Sequence, residues 1–383
     1  MEYSLPYIVF IVFILVVSVL QLGIAFDKSS QKYINFSVFF AYILFWGFRG
    51  FIGWDWVNYY PFFKDLSITQ PPLGSNYDIA FEYYSFTIKY LFKTYESFVL
   101  VSTIVNALLL HIVFRRYLPE RYYALAFALF FAFNGLIFET DLMRNIKSLL
   151  IFLISIKYII DRKPLQYFSL IALAVIFHWS ALIFIPLYFF LHKKVSLKFF
   201  LIIFVLGNLI YLLRIEYITP VITYVLNFLP EDISARISMY IKSQMYSKPY
   251  GITFGYIERS IMSFLLFFYY QKITKDVKGI IFMNSFIVYI FLFLYCSEIS
   301  IILIRLAGNY AFAYWFLVPM IIHNSEKGVK PFIYIFFTLI IVLKIHLLTN
   351  NVLYEYDSTL SDSHKDYRHR KEIYDANYKR LEK

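Results

Sequence analysis

Along this chain, apolar runs of about 18 to 20 residues alternate with short polar breaks, the length and pattern of helices that cross a bilayer. The runs predict spans near 4–26, 33–50, 97–114, 122–138, 143–160, 165–191, 197–213, 257–271, 279–297, 303–322 and 331–348. Two long polar interruptions, about 51–96 and 214–256, and a polar tail, 349–383, separate or follow them. The first run, Leu5 to Phe26, lacks a basic leader and a small-residue cleavage site, and reads as a retained helix.

The short breaks carry the basic residues: Lys28 and Lys32; Arg115, Arg116 and Arg121; Arg162 and Lys163; Lys193, Lys194 and Lys198; Lys272, Lys275 and Lys278; Lys327 and Lys330. Basic loops stay on the cytoplasmic side. The segment 165–191 breaks the alternation, because basic clusters flank both of its ends. Its centre reads "FHWSA", Phe177 to Ala181. A re-entrant hairpin with His178 at the turn satisfies both observations, since a broken helix is tolerated where it lines a cavity or is buried in protein. One tilted helix of 27 residues is the competing reading. With the hairpin the count is about twelve membrane segments, and both long loops and the tail share the outer face. The chain is expected to be an all-α polytopic membrane protein: a single transmembrane catalytic domain over 1–348, followed by the tail 349–383 as a solvated, helical extension with charges at i,i+3 and i,i+4.

Composition sharpens this picture. Hydrophobic residues make up 60% and charged ones 16%, with a mean hydropathy of +0.63, too apolar for a soluble core of this size. The net charge of +11 is explained by the basic loops, which leaves no reason to invoke nucleic acid. One cysteine, Cys296, excludes a disulfide framework and a cysteine metal site. Neither a phosphate-cradling glycine loop nor a zinc-spaced cluster is present in the sequence, so no cofactor and no metal is expected.

The remaining charges collect on the outer face. Arg49, Asp55 and Glu82 lie in or beside the first long loop, whose part Asp78 to Lys93 has helical apolar spacing. Arg144 and Lys147 open a span, His178 sits at the hairpin turn, and Arg214, Arg236, Lys242, Lys248 and Arg259 mark the second loop. Arg305 interrupts an apolar run. An arginine at a helix centre costs about 2.5–3.5 kcal/mol on insertion scales, so such residues face a cavity, a partner or a ligand. Structural pairs of Arg144 with Asp141 and of Arg305 with Glu298 are the plain alternative. Arginine suits diphosphates and aromatic faces suit sugar rings. For Trp54, Trp56, Tyr59 and Tyr60 an interfacial belt is an equal alternative.

The order of these residues resembles the EpsG-type branch of the Wzy-like bacterial polysaccharide polymerases. The stretch "RGFIGWDWVNYYPFF" holds Arg49, Gly53, Asp55, Asn58, Tyr59, Tyr60 and Phe63 in matching places, and "FEYYSF" follows at Glu82. Arg144–Asn145 stands where an Arg–Gln pair is usual, "FHWSAL" matches a His-x-Ser-Ala turn, and Arg305 resembles a later intramembrane arginine. The resemblance covers about residues 36–320. It implies a GT-C-like glycosyltransferase in the bacterial inner membrane, working on the periplasmic face. Such an enzyme joins oligosaccharide repeat units carried on undecaprenyl diphosphate, with membrane lipids around it and a chain-length regulator as a candidate partner. Arg144 and Arg305, then Arg49 and Arg259, are the candidates for the diphosphate. His178, Glu82 and Asp55 are candidates for the base, with hydrogen bonding to the diphosphate an equal role for His178, and Trp54, Tyr59 and Tyr60 are candidates for the glycan. A lipid-linked oligosaccharide flippase or an O-antigen-ligase-like transferase is the alternative. Acyl transfer wants a histidine beside a carboxylate, and "FHWSA" has no acidic neighbour in sequence.

Overall fold

Helices begin where the sequence offers an N–H acceptor or a proline. Asp27 accepts from Ser29 and Ser30 and opens α2 (Lys28–Gly47), and Thr94 accepts from Ser97 and opens α5 (Tyr95–Tyr117). Proline stands in the first turn of α1 (Leu5–Gly23) and starts α9 (Pro164–Phe177), where its missing N–H costs nothing. The computed structural model describes residues 2–24, 26–69, 78–228, 234, 238, 251–299, 305–361 and 364–381. Arg236, Lys242 and Lys248 lie outside the described residues.

Among the described residues, five helical stretches are long and apolar enough to cross a membrane: Leu5–Gly23, Tyr95–Tyr117, Glu120–Thr140, Val277–Tyr295 and Lys330–Thr349. A sixth is added if Leu197–Leu213 and Ile218–Leu226, bent by 79°, count as one span. Other expected spans are helices that are short or charged. Thus α8 (Met143–Ile160) carries Arg144, Lys147 and Lys157, and the run expected at 303–322 is helical as Ala313–Asn324. The chain is an all-α polytopic membrane protein, and among the described residues the only strand-like pairing is a bridge of Arg49 with Ser358.

The chain divides into two compact units, residues 1–185 with 328–383 and residues 186–327. In the first unit the long loop forms α3 (Trp56–Asp65) and α4 (Ile79–Phe92). Phe51, Trp56, Tyr59, Phe63, Phe81, Phe98 and Met143 pack into one aromatic core, with α4 set against α5 and α9. Between α6 (Tyr123–Phe130) and α7 (Leu136–Thr140) the helix opens at Phe133 and Asn134, and this break presents Glu139 and Asp141 inward.

The segment 165–191 is broken. Helix α9 stops at His178, whose φ of −164° is extended, and a 3-10 turn runs over Trp179–Phe184. The Tyr167 hydroxyl donates to the Phe184 carbonyl at 2.6 Å across 17 residues. A straight helix of that length would hold them about 25 Å apart. The chain therefore doubles back at His178.

The tail corrects an expectation, for it is docked rather than solvated. After α16 (Lys330–Thr349), Gly53 N–H donates to the Leu353 carbonyl, Gly50 N–H to Asp357 and Thr359 N–H to Phe48. The final helix, α17 (Tyr367–Leu381), lies on the aromatic loop: Arg370 is 1% exposed and donates to the carbonyls of Phe51 and Leu353.

In the second unit, α10 (Leu187–Phe190), α11 (Leu197–Leu213), α12 (Ile218–Leu226), α13 (Phe254–Ile273), α14 (Val277–Tyr295) and α15 (Ala313–Asn324) follow in order. Asn284 of α14 donates to the carbonyls of Leu191 and Lys193, which fixes the turn after α10. Glu298 accepts the N–H groups of Tyr217, Ile218 and Thr219 at the start of α12.

Candidate functional site

The loop after α2 is shaped from both sides. Gly53 has φ +91°, a conformation that favours glycine, and a Cβ there would sit 2.2 Å from Asp141 Oδ1 and 2.9 Å from Thr140 Cβ. The space is taken by the Asp141 carboxylate, which accepts the Trp54 N–H at 2.6 Å on Oδ1 and the Tyr354 hydroxyl at 2.8 Å on Oδ2. Burial pushes the Asp141 carboxyl up to about 6, with the Trp54 N–H opposing and the Asp55 carboxylate adding to the rise. One acid thus ties together the first loop, the break before α8 and the C-terminal segment.

Beside this tie stands a second carboxylate. Asp78 occupies the position preceding α4, but its side chain turns away from its own helix. It accepts from Arg144 NH1 at 2.7 Å, from His178 Nδ1 at 2.9 Å and from the Trp179 N–H at 3.4 Å. Burial alone would favour the neutral acid, yet hydrogen bonding and charge from His178, with Arg144, hold the Asp78 carboxyl below its ordinary value. The break at His178 makes this possible, since an unbroken helix would not expose the Trp179 N–H to a side chain. On the far side, Asn145 donates to Ser180 Oγ at 3.3 Å and fastens the first turn of α8 to the turn after His178. The Tyr59 hydroxyl lies next to Arg144 and donates to the Asp141 carbonyl at 3.4 Å, which joins the two acid centres.

The structure brings Arg144 and His178, two of the candidate residues, together on Asp78. Arg144 pairs with Asp78 and not with Asp141. Trp54 is half-buried and meets Tyr374 edge-on at 6.0 Å. Asp55, also half-buried, follows it at the foot of α3.

Other candidates fall elsewhere. Arg49, expected to hold diphosphate, is buried: its guanidinium donates to the Trp46 carbonyl at 2.6 Å, to Thr103 Oγ1 at 3.1 Å and to the Glu139 carbonyl, and it faces the Glu139 carboxylate at 3.8 Å. Tyr42 and Asn106 complete the shell of that carboxylate. Three of its hydrogen bonds and its ion pair thus lie inside the unit. Glu82 is buried on the inner face of α4. Tyr59 is buried in the aromatic core, and Tyr60 stacks on Tyr367 at 4.5 Å, so neither offers a free ring face of the kind a sugar needs. Arg259 and Arg305 belong to the second unit. The Arg259 guanidinium sits 3.5 Å above the Phe293 ring and donates to the Tyr289 hydroxyl, while Arg305 is exposed. The supposed partner of Arg305, Glu298, instead caps α12.

Three acids central to this architecture, Asp78, Glu139 and Asp141, were not candidate site residues from the sequence. Asp78 had a faint signal, an acid just ahead of an amphipathic helix. Lys147, 2% exposed with its ammonium 4.9 Å from the Tyr84 ring centre, is a further buried cation one turn from Arg144.

The sequence model of the EpsG family matches residues 32–358, which include every residue of the Asp78–Arg144–His178 cluster and the loop that adjoins it. No curated protein and no solved structure matches the chain.

Proposed function

The chain belongs to the EpsG family of membrane polysaccharide polymerases, and on that premise we propose that it is a glycosyltransferase joining lipid-linked oligosaccharide repeat units on the periplasmic face of the inner membrane. The donor is a glycan on undecaprenyl diphosphate, and the acceptor is the non-reducing end of the next unit.

The observation that carries this reading is the Asp78 carboxylate between Arg144 and His178. With Nδ1–H of His178 donated to Asp78, Nε2 is left as the acceptor, the tautomer a general base requires. In the proposed step the acceptor hydroxyl attacks the anomeric carbon and its proton passes to His178 Nε2. The new carbon–oxygen bond forms as the bond from the anomeric carbon to the diphosphate oxygen breaks, and undecaprenyl diphosphate leaves with the electron pair. The Arg144 guanidinium, positioned by Asp78 and the neighbouring Tyr59 hydroxyl, brings fixed positive charge to the diphosphate as it leaves. Asp78 acts as the positioning residue of His178. The distribution of lysine and arginine over the short loops supports the orientation.

The acid next to His178 removes the argument against acyl transfer that rested on its absence along the chain. Family membership favours glycosyl transfer, and product analysis separates the two. The test uses purified protein with lipid-linked repeat units taken from a strain lacking the polymerase. The expected product is a ladder of glycans with release of undecaprenyl diphosphate. Movement across a vesicle without new bonds makes the protein a flippase and ends this reading. His178→Ala and Arg144→Ala should abolish the ladder, and Arg144→Lys should impair it, because an ammonium cannot reproduce a planar fork. Arg259→Ala and Arg305→Ala belong in the same panel, because both are sequence candidates for the diphosphate and only Arg305 stands in a matching place of the family.

A further inference from the structure

The family match ends at residue 358, yet the chain continues into α17, which is laid against the loop before α3. The anchor is Arg370, fully enclosed, with donors on the Phe51 and Leu353 carbonyls and on Glu355. Three residues earlier, Tyr367 stacks on Tyr60 and meets the Phe51 and Trp56 rings edge-on. Tyr374, four residues after the anchor, meets Trp54 and Trp56 at 6.0 Å. Tyr378, one turn further, lies near-parallel to Tyr374, with centroids 6.2 Å apart and 15° between planes, and is 43% exposed. The stripe thus runs from a buried anchor to an open ring.

Polar groups flank it in a way a lipid-facing helix would not tolerate. Asp55 lies near the Tyr374 hydroxyl, Lys371 pairs with Asp375, and Arg368, His369, Glu372 and Lys379 are exposed. Aromatic faces with carboxylates and hydroxyls at their edges match a pyranose, which shows a C–H face to a ring and hydroxyls to its surroundings. The stripe also continues from the candidate site. Trp54 is held by Asp141, the Asp141 carbonyl accepts from Tyr59, and Tyr59 adjoins Arg144.

We propose that Trp54 and Tyr378, joined by the Tyr374 ring packed between them, form an oligosaccharide platform by which α17 holds the growing glycan beside the Asp78–Arg144–His178 cluster. This rests on the polymerase reading above and adds a segment that lies beyond the family match. A chain of one repeat unit uses the cluster alone. A longer chain also lies on the platform, which keeps its end at high effective concentration near the cluster and lengthens the product.

Full-length Tyr378→Ala, Tyr378→Phe and the double variant Tyr374→Ala/Tyr378→Ala are compared with wild type, using lipid-linked repeat units as the probe. Tyr378 is exposed, so its replacement leaves the fold intact. Two readouts are taken: the rate of joining two single units, and the length distribution at completion. The expected result is an unchanged first bond, a median length at least about twofold shorter for the alanine variants, and wild-type length for Tyr378→Phe. Unchanged lengths, or a first bond slowed as much as elongation, overturn the platform while leaving the polymerase reading in place. A wild-type protein that joins no units overturns that reading and the platform with it.

Discussion

Asp78 and His178 stand 100 residues apart in the chain and 2.9 Å apart in the fold. Neither residue is unusual alone. Together they give the imidazole one defined tautomer and place Arg144 on the same carboxylate oxygen. Replacing Asp78 by Asn should therefore leave the protein folded and reduce bond formation by about 10²–10⁴-fold, the range for losing an oriented acid–base group. The comparison to make is initial rate per folded molecule. A variant that retains wild-type rate would remove Asp78 from the mechanism.

Arg49 should behave in the opposite way to Arg144. Its pair with Glu139 is enclosed, and removing one partner of a buried pair costs about 3–5 kcal/mol. Arg49→Met is expected to lower the yield of monodisperse protein and its Tm in detergent, whereas Arg144→Met keeps both and loses activity. Size-exclusion profiles and thermal melts of the two variants decide this, and equal behaviour would undo the distinction.

Gly53→Ala places a methyl group 2.2 Å from Asp141 Oδ1 at a backbone conformation side chains rarely adopt. A cost of about 1–3 kcal/mol is expected from the backbone alone, with more from the displaced carboxylate. The measurement is Tm against wild type, and a shift within error would show that the loop adapts.

Asp141 gives the fold a pH dependence. In the folded chain its carboxyl is pushed up to about 6, against about 3.9 for an unfolded aspartate. Between these values the folded state binds more protons than the unfolded state, so stability falls as pH rises through the window and is level above it. Relative to Asp141→Asn, wild-type Tm should decline from about pH 4 to about pH 6. A difference that stays constant across that range would contradict the assignment.

What the sequence revealed was local. The break at His178 was legible because a polar centre and two basic flanks lie in one segment. The glycine at position 53 was legible as part of a motif. Partners were not. Arg49 and Glu139 are each visibly costly in apolar runs, but their meeting depends on the opening at Phe133 and Asn134, which carries no charge signature. Asp78 reads as a residue at a helix start, and only the folded backbone shows its side chain turned elsewhere. In the tail, alternating charges suggest a solvated helix. The spacing of Tyr367, Arg370 and Tyr374, three then four residues, makes the buried stripe that overrides them.

The pairing of Gly50 and Gly53 with Asp357 and Leu353 also sets an order of events during synthesis. The loop leaves the ribosome about 300 residues before the backbone groups that hold it. Until residues 353–358 arrive, Asp141 lacks the Tyr354 hydroxyl and Gly53 lacks its acceptor. A nascent chain can insert its helices and still have no finished loop. Completion of this loop therefore waits on residues 353–358, long after the helices on either side of it can enter the membrane.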